Sequence, residues 1–399
     1  MARPYNTYKT GNWQPSKLEL NNTDDAAPGQ IFIRVRVADN DASTRPRIYD
    51  NDGNVVYIGP EEATMDFKAQ KLFGQDVITF WSGETGVSGG YGYGKVHILD
   101  NTYNEIYSVI LQDNFSTPTG ETKNSYIDVH EHIITDRNTM IVTAVNVTQQ
   151  NLTSAGISGT QWMIDSHFYE IDIASNADTP WDAYHVNAVM ATNDGYLISV
   201  RCYSSAFYLN KDGSVRWQFS RNTLSEVDSE TTGMAYNVDL VNQKATLMYN
   251  VSDPTNPLYA KTQGSFQFLG PPGLSNMFMN YGSTPNIQEY DSNCEIVKSG
   301  QFGAYGQAET YRGLKYKWTS TTPIWNPAVA INATVSNTTD FYMSWNGATE
   351  YDNLAVYSVP SLQSMQKTML TSKKRTGFET IAGLQNVSAK YIKVAGSQG

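Results

Sequence analysis

The sequence predicts an all-β chain, a six-bladed β-propeller of four-stranded antiparallel blades, and three observations lead there. Six segments share one pattern: an apolar strand, an Asp/Asn turn and a second strand. A further pair of strand candidates precedes most of them. Helical periodicity is weak throughout. Repeats too small to bury an apolar face alone point to a stacked or radial array.

In chain order the repeats are Arg47-Ile48-Tyr49-Asp50-Asn51-Asp52-Gly53-Asn54-Val55-Val56, Val96-His97-Ile98-Leu99-Asp100 and Phe168-Tyr169-Glu170-Ile171-Asp172. They continue with Phe207-Tyr208-Leu209-Asn210-Lys211-Asp212-Gly213, Ile287-Gln288-Glu289-Tyr290-Asp291 and Leu354-Ala355-Val356-Tyr357-Ser358. Two hairpins per unit make a blade, and six units make a ring. Tyr5 to Trp13 and the strand Ala389 to Ala395 are expected to close it, so that residues 1–399 form one domain. One helix is expected, over Glu61 to Phe73. A two-layer sandwich array is the alternative architecture.

Composition narrows the partners. The chain carries 26 Tyr and 8 Trp, only 17% charged residues and a mean hydropathy of −0.44. Its net charge is −11, and no basic cluster exceeds Lys373-Lys374-Arg375, so neither nucleic acid nor an anionic membrane is an expected partner. No apolar run is long enough for a transmembrane helix. Met1-Ala2-Arg3-Pro4 has no apolar h-region, and N-glycosylation sequons stand at Asn21, Asn114, Asn146, Asn151, Asn250, Asn332, Asn337 and Asn386. A glycosylated protein of the secretory pathway, secreted or vacuolar with its leader trimmed, is the expectation. Cys202 and Cys294 leave pairing open, and oligomeric state is not legible.

The stretch Asp182-Ala183-Tyr184-His185-Val186-Asn187-Ala188-Val189, the turn Asn193-Asp194-Gly195 and Tyr196-Leu197-Ile198-Ser199-Val200-Arg201 read as a β-hairpin. His185 and Asn187 lie two apart and project from one strand face, and Arg201 ends the returning strand. His130 and His132 also share a strand face, but with five His in the chain a full metal shell is not expected. The glycine-rich stretch Gly83 to Gly94 shows no helix start, which a phosphate cradle needs. No His-Glu-x-x-His occurs. No cofactor and no metal is expected.

Over nearly its whole length the chain resembles the fungal, secreted arylsulfotransferase-like propellers. The resemblance rests on Gly92-Tyr93-Gly94-Lys95-Val96-His97-Ile98-Leu99-Asp100, Asp128-Val129-His130-Glu131-His132, Phe168 to Ile173 and Tyr184 to Val189. It continues through Gly282-Ser283-Thr284-Pro285, Glu289-Tyr290-Asp291, Tyr311-Arg312, Thr376 to Thr380 and, most specifically, Ser344-Trp345-Asn346-Gly347-Ala348-Thr349-Glu350. In that family a His of His-Glu, the His and Asn of His-x-Asn and an Arg ending the next strand surround a sulfuryl group, which a further His takes covalently. The resemblance carries His130, His185, Asn187 and Arg201 into those roles. Where the nucleophile's stretch should lie, the chain reads Gly233-Met234-Ala235-Tyr236-Asn237-Val238-Asp239, and no His follows His185. A covalent sulfuryl relay needs that imidazole.

The chain is similar, with this departure, to the hetero-Diels–Alderases of tropolone sesquiterpenoid biosynthesis, secondary-metabolic enzymes of meroterpenoid assembly. The resemblance implies intermolecular coupling of an ortho-quinone methide with a humulene-type olefin. His185, Arg201, Tyr236 and His130 are the catalytic candidates, and Asn187, Trp81, Tyr281 and Trp345 the substrate-binding ones. An aryl sulfotransferase of altered mechanism and a non-catalytic small-molecule-binding propeller are the alternatives.

Overall fold

The computed structural model describes residues 4–37, 45–61, 64–87, 90–182, 186–200, 205–220, 230–239, 242, 244–333 and 337–398. The fold is all-β, with one short 3₁₀ turn, Thr153–Ala155, and no α-helix among the described residues. Four-stranded antiparallel meanders are its recurring unit. Thr64–Leu72, Gln75–Val87, Tyr91–Leu99 and Glu105–Val109 form one, and Ile127–Ile134, Thr139–Asn151, Thr160–Asp172 and Asp178–Asp182 the next. A single pairing, Ile127 with Gly94, joins the two into one sheet. Val186–Ala191, Gly195–Val200, Ser205–Asn210 and Val215–Ser220 make a third. Among the described residues Gly233–Asp239 pairs only with Lys244–Val251.

The chain's two halves interleave. Gln30–Arg34, Pro46–Tyr49 and Val55–Ile58 take their fourth strand from Gly313–Tyr316. Ser265–Phe268, Met277–Asn280, Asn286–Tyr290 and Ile296–Gln301 take a fifth from Glu19–Asn22. The segments expected to close a ring do otherwise. Tyr5 makes one bridge, to Ser16, and Tyr391–Ser397 pairs with Asn353–Val359. The sixth repeat, Leu354 to Ser358, therefore sits mid-sheet between Thr368–Lys374 and Tyr391–Ser397. That three-stranded sheet shares a core of Phe341, Met343, Leu354 and Val356 with the sheet Ala328–Ala333, Thr338–Ser344 and Glu379–Gln385.

The first five repeats are the hairpins between the third and fourth strands of their units, or the equivalent pair in the interleaved sheet, and their acidic residue shapes the turn. Asp50 Oδ1 accepts the backbone N–H groups of Asp52 (3.0 Å) and Asn54 (2.8 Å). Asp100 Oδ1 does the same for Thr102 and Asn104, and Asp291 Oδ1 for Asn293 and Glu295. An Asx side chain thus supplies the acceptor that the reversing backbone needs.

The expected helix over Glu61 to Phe73 is instead the strand Thr64–Leu72. Asp66, Phe67 and Lys68 are all buried there, and the pairing slips between Met65 and Lys68. Two buried charges and a bulge remove the period-2 alternation by which a strand is read.

Candidate functional site

Four opening hairpins break register near the start of their first strand. Their pairing slips between Met65 and Lys68, Ile127 and His132, Val186 and Ala188, and Ala235 and Tyr236. Bulges re-aim side chains and accumulate beside functional sites. In three of them the extra residues lie on the opening strand, Asp66-Phe67, the run Asp128 to Glu131 and Asn187; in the fourth it is Met248, on the returning strand opposite Ala235 and Tyr236. Asp66 takes φ +52, a left-handed backbone that a non-glycine residue rarely adopts.

Three of the four bulges are tied by Arg312, just before Gly313–Tyr316. Its Nη2 donates to the carbonyl oxygens of His130 (3.1 Å) and Asn187 (3.4 Å). Its Nη1 reaches Asp66 Oδ1 at 3.1 Å and Glu131 Oε1 at 3.0 Å. Lys68 Nζ bonds the same two carboxylates, at 2.6 and 2.8 Å. Two cations thus balance two anions in the interior. Burial opposes every one of these charges, so the geometry must compensate it. Burial pushes the Glu131 carboxyl up, but Arg312 and Lys68 outweigh it and hold it below the usual range. Burial likewise opposes the Arg312 charge, and Asp66 and Glu131 more than restore it.

His130 sits at the edge of this cluster. Its Nδ1 lies 2.5 Å from Asp128 Oδ2, and Asp128 Oδ1 accepts the Gly92 N–H. The Tyr91 and Tyr311 rings meet the imidazole edge-on, and the Tyr311 hydroxyl donates to the His130 carbonyl at 2.8 Å. A carboxylate at Nδ1 fixes the tautomer and orients Nε2, the arrangement of an oriented acid–base imidazole. Asn187 Oδ1 is sealed from solvent with no hydrogen-bond partner among the described residues.

His132 is part of the ion cluster. Its Nδ1 lies 3.3 Å from Asp66 Oδ2 and its Nε2 3.0 Å from Thr79 Oγ1. Burial, reinforced by Lys68 and Arg312, holds its pKa well below the ordinary 6.5. Below pH about 6.5 the unfolded chain takes up a proton that the folded chain refuses, so this contribution to stability is complete above 6.5 and falls with pH. The expected loss approaches about 1.4 kcal/mol per pH unit. Urea denaturation between pH 7.5 and 5 reads it, and His132→Gln flattens that slope.

The other sequence-predicted residues lie apart. Trp81 is fully buried, its indole N–H donating to the Ile127 carbonyl. Tyr281 is buried, with its hydroxyl bonded to Gln288 and Tyr290. Trp345 donates to the Trp325 carbonyl and packs on Tyr351. Tyr236 is 39% exposed, its hydroxyl directed at Met234 Sδ and its ring against Phe219. His185, Arg201 and Cys202 lie outside the described residues. The hairpin that carries them forms as expected, Val186–Ala191 against Gly195–Val200. Cys294 is a half-buried free thiol.

Sequence reasoning passed over Arg312, Lys68 and Asp66. One signal was available, since Asp66 and Lys68 stand two apart among apolar residues, the spacing of paired charges on one strand face. No group of three or more His, Cys, Asp or Glu residues is placed to hold a metal among the described residues.

Three solved structures show distant likeness. Two mutant forms of the Synechocystis apocarotenoid oxygenase (ACO) are each 10% identical, with TM-scores of 0.36 and 0.37. An ACO/RPE65 chimera is 9% identical with a TM-score of 0.34. Each alignment covers 68% of this chain and 70% of the other. No curated protein matches the sequence. The family model described as arylsulfotransferase (ASST) matches residues 68–179, 174–222 and 218–303. Those segments run through the strands of His130, Asn187 and Tyr236 and span more than half of the chain, which belongs to the arylsulfotransferase family.

Proposed function

We propose that this family member has exchanged sulfuryl transfer for cofactor-free pericyclic coupling, joining an ortho-quinone methide to a humulene-type olefin by a hetero-Diels–Alder reaction. The observation that carries the reading is the sequence beside the fourth bulge. By the resemblance, Ala235 and Tyr236 stand where the family's covalent relay requires an imidazole, and no His follows His185 anywhere in the chain. Polar groups for an oxygenated substrate are nevertheless kept: His130 on Asp128, Asn187, whose amide oxygen is an unsatisfied acceptor, and in sequence His185 and Arg201.

In this reading the sheets opening at Gln30, Thr64, Ile127, Val186, Gly233 and Ser265 are the six blades, and residues 328–397 are appended to them. His130, or Tyr236, protonates the departing hydroxyl of a hydroxymethyl phenol or tropolone. Water leaves, the ring hydroxyl gives up its proton, and the quinone methide remains. The cycloaddition then forms one C–C and one C–O bond from π electrons alone. Donors polarise the heterodiene carbonyl, and holding both partners in a near-attack pose supplies about 7 kcal/mol of the barrier reduction. The eight sequons fit a secretory protein.

The test is incubation with a quinone methide precursor and humulene. One enantiomer in excess, formed faster than without protein and lost in His130→Ala, is the expected outcome. Racemic adduct at the spontaneous rate overturns the reading, as does sulfate transfer from a para-nitrophenyl donor to phenol.

A further inference from the structure

A cavity of about 680 Å3 opens at the far end of the bulged strands. Its lining runs from Lys68, Glu131 and Arg312 out to the turns at Phe73-Gly74 and Thr135 to Asn138, and includes neither His130 nor Asp66. The ion cluster is thus its floor, and its mouth lies where the first two strands of two meanders reverse. Its volume falls in the range of small-molecule sites.

Two features of the lining are unexplained by folding. Phe73 opens the two-residue hairpin Phe73-Gly74 with φ +49, followed by Gly74 at φ +77. Such a turn favours Asn, Asp or Gly at its first position, because a side chain there meets its own backbone. Phe73 is also 62% exposed, while its N–H is held by Asn138 Oδ1 at 2.6 Å. A large apolar ring in a strained turn, turned to water at a cavity mouth, is unfavourable on both counts in the free protein. The second feature is Tyr316. It lines the cavity half-buried, and its hydroxyl makes no hydrogen bond to any described residue. Burial, with Asp66 and Glu131 nearby, raises its pKa, so the phenol stays protonated and can donate.

The floor sets the charge of what binds. Lys68 and Arg312 are already matched by Asp66 and Glu131, and at the mouth Lys71 is paired with Asp76, so no cation is left for an anionic ligand and Asp136 is the one further charge of the lining. Ile133 and Leu314 add apolar wall. The geometry points to a second small-molecule site, distinct from the His130 side, for an uncharged and mostly apolar compound with one carbonyl-type oxygen. The oxygen accepts from the Tyr316 hydroxyl. The apolar body packs on Ile133 and Leu314, and Phe73 covers its outer face.

The full chain is titrated with 2-acetylnaphthalene and with 2-ethylnaphthalene, which has the same shape without the oxygen, by equilibrium dialysis. The ketone should bind once per chain, and Tyr316→Phe should weaken it about five- to tenfold, the effect of one hydrogen bond, without changing the hydrocarbon. Phe73→Gly should weaken both. Equal ketone binding by wild type and Tyr316→Phe, or no saturable binding of either compound, overturns the proposal. So does a lowered melting temperature for Tyr316→Phe alone, since it means that the hydroxyl already has a protein partner.

Discussion

Arg312→Met is expected to lower the free energy of unfolding by about 3–5 kcal/mol, the usual effect of removing one partner from a buried ion cluster. Asp66 and Glu131 would share only Lys68, and the carbonyls of His130 and Asn187 would lose their common donor. The loss exceeds that of a surface ion pair because water cannot solvate the carboxylates left behind. Urea denaturation at pH 7 gives the number, and its pH dependence gives the cause. Without Arg312 the Glu131 carboxyl loses the charge that holds it low, so acid neutralises it more readily. The gap between wild type and variant therefore narrows as pH falls. A gap constant with pH would assign the loss to packing. Arg312→Lys keeps the charge but not the planar fork that bonds two carboxylates and two carbonyls together, and it should recover only part of the loss.

Trp81→Ala should be as damaging, at about 3–5 kcal/mol for a buried large-to-small change. The indole fills space left by glycines. A Cβ at Gly94 would come within 2.6 Å of the ring, one at Gly83 within 2.9 Å and one at Gly92 within 3.0 Å. Its N–H also caps the Ile127 carbonyl across the seam where two meanders meet by one pairing. Chemical denaturation measures the loss. Trp81→Phe separates the contributions, since it keeps most of the volume but orphans that carbonyl.

The turns were the most legible part of the sequence. Asp50, Asp100 and Asp291 act locally, each bonding backbone two to four residues on, so their role is written in adjacent letters. The hairpin through Asn193-Asp194-Gly195 was readable for the same reason. Thr64–Leu72 was not. Its Asp66 and Lys68 point inward because Glu131 and Arg312, far away in sequence, make that tolerable. A buried charge with a distant partner looks, locally, like a solvated helix face. Arg312, quoted only as part of the resemblance, was hidden as a site residue in the same way until three strand starts converge on it. Nothing local, either, distinguishes the core ring of Trp81 from the wall of a binding site.

The interleaving of the chain's two halves has a consequence for its synthesis. Gln30–Arg34 leaves the ribosome about 280 residues before its partner Gly313–Tyr316, and at about 5–20 residues per second that is a wait of roughly a quarter of a minute to a minute. Glu19–Asn22 waits almost as long for Ile296–Gln301. Through that interval the nascent chain presents unpaired strand edges, with Ile31, Phe32 and Ile33 uncovered although all three end fully buried. The most vulnerable state of this protein is therefore the one still attached to the ribosome, and a chaperone that holds the first 60 residues would protect it most.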